Sequence, residues 1–374
     1  MNVLIIADYK APQSGNFIAS VLELGLMMRR QSNNVVYMFP EMNTGGIWRR
    51  WLAENAFDVY CLENMQNEEN VLQIFRQIIN RHQIDIIHSH FGFLHKFLLL
   101  NHRKMGKEIK IIFHDHMDFS AGAPLRRQKI KTAVYALSYR MFDAYVISVM
   151  EKKNHAYRLA GKKRSRYITN GLSLKRAETD QRTRQELREE LNVGCNEKLA
   201  LFLGWNLYRK GLDIAVQGIS RCRSKYPGLK LGVIGAGHGK PYPETEKFLR
   251  ANGCDPRAEW ILYLNDCEDI FALDKAVDVY VSASRKEAFS YGILEAVSQN
   301  TPVVVSDIEG TSWAREFDKC VTFTNEDADD CAQAIGEALT IGRRESNYRS
   351  VIQKYSVDEW CNKIMSFYAE ISGE

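Results

Sequence analysis

The chain has 374 residues, 45% of them hydrophobic and 26% charged, with a formal net charge of +4. That length suits about two domains, and the composition is that of a soluble globular protein, which argues against disorder. No run reaches the ~18 uncharged apolar residues that a membrane-spanning helix needs. The apolar run from Val3 to Ala7 has no basic stretch before it, so it reads as a buried strand and not as a signal peptide. The eight cysteines form no C-x-x-C pair, so free thiols in a reducing cytoplasm are expected, with no zinc or redox motif. Residues 1–180 hold 26 Lys and Arg against 16 Asp and Glu, and the remainder holds 24 against 30. The basic excess, concentrated between Asn101 and Arg176, suits an anionic partner such as a membrane surface or phosphorylated substrates. No recognised nucleic-acid module accompanies it, so nucleic acid is not an expected partner.

In chain order, strands are expected at Val3–Ala7, Asn34–Phe39, Ile84–His88, Lys110–His114 and Ala144–Ser148, with helices such as Phe17–Arg30 and Glu69–His82 between them. Short apolar runs separated by amphipathic segments argue for a parallel sheet with crossover helices. The polar stretch Leu174–Thr183 reads as a linker. The pattern then restarts with a charged helix at Gln181–Val193, a strand at Leu199–Gly204 and a helix from about Gly211 to Tyr226. Further strands follow at Lys230–Gly235, Glu259–Tyr263, Val277–Ser282 and Pro302–Ser306. The last segment, Val357–Ile371, reads as a helix anchored by Trp360, Phe367 and Tyr368. Two α/β units are expected, with ligands at the carboxyl ends of their strands.

The chemistry concentrates in Ser282-Ala-Ser-Arg-Lys-Glu287-Ala-Phe289-Ser290-Tyr291-Gly292-Ile-Leu-Glu295-Ala. A strand ends near Ser282, and a helix opening near Ser290 would offer unpaired N–H groups and partial positive charge to a diphosphate or a sugar hydroxyl. Glu287 precedes that helix, and Glu295 lies inside it. These two carboxylates could accept hydrogen bonds from two parts of one elongated polar ligand. After the helix come Pro302-Val-Val-Val-Ser-Asp-Ile-Glu-Gly310: a turn, a buried strand and a glycine loop.

This segment, from Glu287 to Gly310, resembles the donor-site signature of retaining GT-B glycosyltransferases, specifically glycosyltransferase family 4. Leu201-Phe-Leu-Gly204-Trp205-Asn-Leu-Tyr-Arg209-Lys210-Gly211 is similar to the family's phosphate-binding segment, and Leu231-Gly-Val-Ile-Gly235-Ala-Gly237 to its next strand and glycine turn. Asp85-Ile-Ile-His88-Ser-His90, Phe113-His114-Asp-His116 and Ile168-Thr-Asn170-Gly171 are similar to its N-domain segments. The likeness covers most of the chain in the family's order.

The resemblance implies a GT-B architecture, two Rossmann-like domains facing across a cleft. Residues 1–173 would form the acceptor-side domain, with the C-terminal helix 357–374 packing back on it, and residues 174–356 the donor domain. It also implies that Glu295 holds the ribose hydroxyls, Glu287 the donor sugar, and the amides of Phe289, Ser290, Tyr291 and Gly292 the phosphate or sugar oxygens. Arg209 and Lys210 would neutralise the diphosphate beside Gly204. Gly15 would let the backbone approach that diphosphate, and His114 would face the sugar. The implied catalytic set is His114, Arg209, Lys210 and Glu287, needing no metal or other cofactor. The family usually has an arginine directly after the first glycine of the phosphate segment. Here Trp205 stands there, and Arg209 is expected to supply the cation.

Three further patterns carry other chemistry. His88 and His90, like His114 and His116, are two apart, so each pair shares one face of a strand; hydrogen-bonded sheet-end residues are expected there in preference to a zinc site. Asp327-Ala-Asp329-Asp330 looks like a metal-binding D-x-D but reads better as the acidic first turn of a helix. Leu125-Arg-Arg-Gln-Lys-Ile-Lys131 leads into a helical stripe of Ile130, Val134, Leu137 and Met141, expected in the core. With Phe91, Phe93, Phe97, Leu98–Leu100 and His102-Arg-Lys104, this region (94–140) offers an apolar and basic surface that could hold the chain against anionic lipid.

The expected function is retaining transfer of a sugar from a UDP- or GDP-type donor to a glycan or lipid-linked acceptor. Its setting would be surface polysaccharide synthesis at the inner face of a membrane. Alternatives on the same fold are a nucleotide-sugar epimerase or phosphorylase, and a non-catalytic partner of an active transferase.

Overall fold

The computed structural model describes the chain except residues 10–14, 41–46, 63–66, 93, 106–108, 117–129, 131–132, 135–136, 138, 140, 142–143, 151–156, 158–159, 176–180, 266–269 and 374. It divides into two compact units, Met1–Ser173 together with Val357–Glu374, and Leu174–Ser356.

The first unit holds a seven-stranded sheet: β1 (Asn2–Ala7), β2 (Asn34–Phe39), β3 (Asp58–Cys61), β4 (Ile86–His90), β5 (Lys110–Asp115), β6 (Ala144–Ser148) and β7 (Ser165–Tyr167). The order is β3-β2-β1-β4-β5-β6-β7, and every pairing is parallel. Helices on both faces of such a sheet bury it completely, which is why β1 and β2 are continuous apolar runs. The helix Glu68–His82 shows how the crossovers are specified. Asn67 caps its first turn by accepting from the amides of Glu69 and Asn70, and Val71, Leu72, Phe75, Ile78 and Ile79 form one buried stripe. The last helix, Val357–Ser372, buries Trp360, Cys361, Ile364, Phe367 and Tyr368 within this unit.

The second unit holds a six-stranded parallel sheet: β8 (Lys198–Leu203), β9 (Leu229–Ile234), β12 (Ile261–Leu264), β13 (Val279–Ser282), β14 (Val303–Ser306) and β15 (Cys320–Phe323). Between β9 and β12 lies a short antiparallel pair, β10 (Gly237–His238) and β11 (Lys240–Pro241). The sheet order β12-β9-β8-β13-β14-β15 reverses direction between β8 and β13. At such a switch point the loops leaving the two strands diverge and open a crevice at their carboxyl ends. The helices Leu212–Cys222 and Ala328–Ile341 pack closely, with Gly218 against the Cys331 side chain. Asp327 caps the second of them by accepting from the amides of Asp329 and Asp330. The apparent D-x-D is therefore a helix start.

Candidate active site

The loops that leave β8 and β13 carry the residues singled out by sequence. After β8, Asn206 Oδ1 accepts the Arg209 amide at 3.0 Å and caps the one-turn helix Leu207–Lys210. Gly211 closes that turn at φ +72°, where a Cβ would fall 1.9 Å from the Ala283 carbonyl oxygen. A side chain is excluded there both by the left-handed backbone and by the approach of the neighbouring loop. Arg285, which sequence reading passed over, stitches the two loops together. Its amide donates to the Arg209 carbonyl at 2.9 Å. Its guanidinium donates to Asp213 Oδ1 and Oδ2 at 2.9 and 2.7 Å, and to the Tyr208 carbonyl at 2.7 Å. This two-pronged pair with Asp213 holds the Arg285 pKa above its ordinary value. Local sequence carries no signal for this role, because the partner Asp213 lies 72 positions away.

Glu287 sits at the centre. Lys210 Nζ donates to its Oε2 at 2.5 Å, and Arg209 Nη1 lies 3.5 Å from its Oε1. The Glu287 side chain is 10% exposed and that of Arg209 43%, so one cation of the pair faces water beside a nearly buried carboxylate. Gly204 lets the Lys210 stem run across it, because a Cβ there would meet Lys210 Cγ at 2.6 Å. Gly310 admits the Glu287 backbone in the same way, its Cβ position lying 1.9 Å from the Glu287 carbonyl oxygen.

The helix Tyr291–Ser298 then begins with Ser290 as an extended N-cap whose side chain makes no capping hydrogen bond. Phe289 stacks on Trp313, centroids 4.9 Å apart, and Gly292 passes the Tyr280 hydroxyl, 2.3 Å from where a Cβ would stand. Glu295 is buried at 6% exposure. Burial, and then its charge, push the neighbouring Asp274 carboxyl upward in pKa. Carboxylate, two cations and a helix start thus lie in one unit at its switch point. That set can bind a polyanion and hydroxyls together. Trp205 is 63% exposed.

Gly15 and His114 belong to the first unit. Gly15 is the N-cap of the helix Asn16–Arg30, and its amide donates to the Tyr9 hydroxyl oxygen at 3.1 Å. His114 lies on β5 directly opposite His90 on β4. Alternation along parallel neighbours puts His88, His90, His114 and His116 on one sheet face. Burial is the main cause that lowers all four imidazoles well below their usual pKa, His88 and His116 to about 3. They are linked as pairs: His88 Nε2 to His114 Nδ1 at 3.2 Å, and His90 Nδ1 to His116 Nε2 at 2.9 Å. His88, His90 and His114 also offer one ligand atom each within 4.8 Å of one another, so among the described residues they are the group able to hold a metal ion.

The apolar and basic region departs from expectation. Ile130, Val134, Leu137 and Met141 are not core residues but 57–66% exposed, while Tyr139 is buried against His95 and Phe113. Conversely Leu98 and Leu99 are buried in the first unit's core with Phe97 against it, leaving Leu100 exposed. Leu125–Lys129, Lys131 and Phe93 lie outside the described residues.

Residues 197–340 match the family described as glycosyl transferases group 1. Over its full length the chain superposes on a glycosyltransferase from Rickettsia africae (TM-score 0.78, 17% identical, 99% of this chain and 98% of that one). It also superposes on Anabaena Alr3699/HepE, solved with UDP and glucose (TM-score 0.75, 16% identical, 99% of each). The chain has a GT-B fold, and its residues 197–340 are similar to glycosyl transferases group 1. In sequence, it is 23% identical over 91% of its length to a phosphatidylinositol N-acetylglucosaminyltransferase protein of Arabidopsis thaliana, covering 75% of that protein. Other relatives are matched over as little as 30% of their own length. The matched residues 197–340 include Gly204, Arg209, Lys210, Glu287 and Glu295, so the family segment and the carboxylate–cation cluster coincide.

Proposed function

We propose that this chain is a retaining glycosyltransferase that takes a sugar from a UDP- or GDP-type donor and passes it to a glycan or lipid-linked acceptor. The observation that carries this is the Lys210–Glu287–Arg209 cluster at the switch point, one turn ahead of the Tyr291–Ser298 helix and within the family segment. A nucleoside diphosphate gains negative charge as the glycosidic bond breaks. Cations and helix N–H groups fixed beside it stabilise that charge more in the transition state than in the ground state. In this reading Lys210 and Arg209 exchange Glu287 for the diphosphate, and Glu287, released, accepts hydroxyl hydrogen bonds of the sugar. Glu295 holds the ribose. The same-face attack uses a leaving phosphate oxygen to take the acceptor's proton, so no enzymic nucleophile and no metal are required. The nucleotide-bound HepE structure supports a nucleotide-sugar donor, and the phosphatidylinositol-named relative supports a lipid acceptor.

The described helices include none long and apolar enough to cross a membrane. The exposed stripe from Ile130 to Met141 supports peripheral contact with anionic lipid at the cytoplasmic face of a membrane. A surface polysaccharide pathway fits both.

A second reading, a non-catalytic partner of an active transferase, is favoured by Trp205, which stands exposed where a phosphate-binding arginine is usual. Incubation with nucleotide sugars and a polyprenyl- or glycan-type acceptor panel, with NMR of the product's anomeric centre, separates the two. The donor's anomeric configuration is expected in the product, with turnover unchanged by a chelator. Inversion contradicts retention, and no transfer or donor consumption with any pair favours the non-catalytic partner.

A further inference from the structure

We propose that Tyr368, on the last helix, is a positioning residue: through His88 it fixes His114 in the tautomer whose Nε2 carries the proton, making that buried nitrogen a hydrogen-bond donor to an oxygen of the substrate. The proposal rests on the sugar-transfer reading for its consequence, but the relay itself rests on the hydrogen bonds.

Tyr368 is fully buried, and its hydroxyl meets His88 Nδ1 at 2.5 Å. His88 Nε2 then meets His114 Nδ1 at 3.2 Å. Each contact needs one proton, so the chain has two directions. In the first, the Tyr368 hydroxyl donates to His88 Nδ1, His88 Nε2–H donates to His114 Nδ1, and His114 is left with Nε2–H. In the second, His88 Nδ1–H donates to Tyr368, His114 Nδ1–H donates to His88 Nε2, and His114 Nε2 is a bare lone pair. Each direction leaves one buried donor without an acceptor among the described residues, His114 Nε2–H in the first and Tyr368 O–H in the second. The Tyr368–His88 contact therefore decides. A phenol is a stronger acid than a neutral imidazole N–H, and an imidazole nitrogen a better acceptor than a phenol oxygen, so O–H···N is the stronger bond. Burial keeps both the phenol and the imidazoles neutral, so no extra proton relieves the choice. The first direction wins. His114 Nε2, buried and without a partner among the described residues, ends the chain as a donor.

The parallel chain has the opposite polarity. Asn170 Oδ1 faces His116 Nδ1 at 3.1 Å. As an acceptor it sets His116 Nδ1–H, which leaves His116 Nε2 to accept from His90 Nδ1–H. His90 Nε2, also buried and without a partner among the described residues, therefore ends as a lone pair. Two facing imidazoles, ring centroids 4.9 Å apart, thus present one donor and one acceptor, a pairing suited to a hydroxyl oxygen.

The test is the imidazole ¹⁵N spectrum of the wild-type chain at neutral pH, with His114 assigned by loss of its signals in His114→Gln, followed by the same spectrum and steady-state kinetics of Tyr368→Phe. Wild-type His114 is expected to be protonated at Nε2 alone. Tyr368→Phe removes the terminal donor and should move His114 toward the Nδ1–H form, with kcat lowered about tenfold, the worth of one lost hydrogen bond, and KM for the donor changed less than kcat. Wild-type His114 protonated at Nδ1 overturns the relay, even if the variant fails to fold. So does an unchanged His114 spectrum in Tyr368→Phe, and a changed tautomer with unchanged kcat overturns the positioning role. A chain that transfers no sugar contradicts the function proposed above, while the two spectra still decide the relay.

Discussion

Glu287 is the residue on which the proposed donor site turns, because it is held by both cations the diphosphate would need. Lys210 is the closer and more buried of the two, so its removal strands a nearly buried carboxylate as well as losing a phosphate partner. Lys210→Ala should lower kcat by about a hundredfold, in the range seen when one oxyanion-stabilising group is lost. Arg209→Ala, at a half-exposed cation 3.5 Å away, should cost several-fold less. Kinetics of the two variants with a common donor decide the order, and equal losses would argue against Lys210 as the principal contact. Both residues were singled out in sequence by the likeness of residues 201–211 to the family's phosphate-binding segment, and the structure places both beside Glu287. Arg285 was not, because its partner Asp213 is 72 positions away and the pairing follows from strand order alone. Nor was the engagement of the Gly15 amide by Tyr9, a contact across a loop that local pattern does not encode.

At the scale of elements, the buried strands read well from sequence because both faces of a parallel sheet are covered and the runs are continuously apolar. The short edge strands β3, β7 and β15 were missed, since Asp58–Cys61, Ser165–Tyr167 and Cys320–Phe323 are brief and only partly buried. The spacing of Ile130, Val134, Leu137 and Met141 misled for a different reason: an apolar stripe marks a face but not what covers it, and these four side chains are exposed while Tyr139 is buried. The β4–β5 pair has a consequence for stability. His88 titrates near its ordinary value of about 6.5 when unfolded but only at about 3 when folded. Between those values the unfolded chain binds more protons than the folded one, so stability is full above about pH 6.5 and falls as pH drops toward 3. Each such imidazole contributes up to about 1.4 kcal/mol per pH unit in that window. Thermal melts at pH 7.5 and 5 should show a lower Tm at pH 5, and His88→Gln should reduce the difference. A Tm independent of pH over that range would contradict neutral burial of the histidines.

For the whole molecule, the two units divide the chemistry. The second carries the family segment with the carboxylate–cation cluster; the first carries the histidine face and the exposed apolar stripe. The basic excess of residues 1–180 and that stripe lie in the same unit. Vesicles containing anionic lipid should therefore sediment the chain, and neutral ones should not. Val134→Asp with Leu137→Asp should weaken that association several-fold without changing the Tm, because both side chains are exposed. Equal binding to neutral vesicles, or no effect of the double variant, would remove the membrane from the account.

The most direct test of donor binding is thermal stabilisation of the purified chain by a panel of nucleotides and nucleotide sugars, repeated with Glu295→Ala. A ligand at 100 times its dissociation constant adds about 2.7 kcal/mol of stability, a clear rise in Tm. The donor-site account predicts that one base class, uridine or guanosine, stabilises the parent chain and that Glu295→Ala abolishes the response. Stabilisation by no nucleotide, or an equal response in the variant, would contradict it.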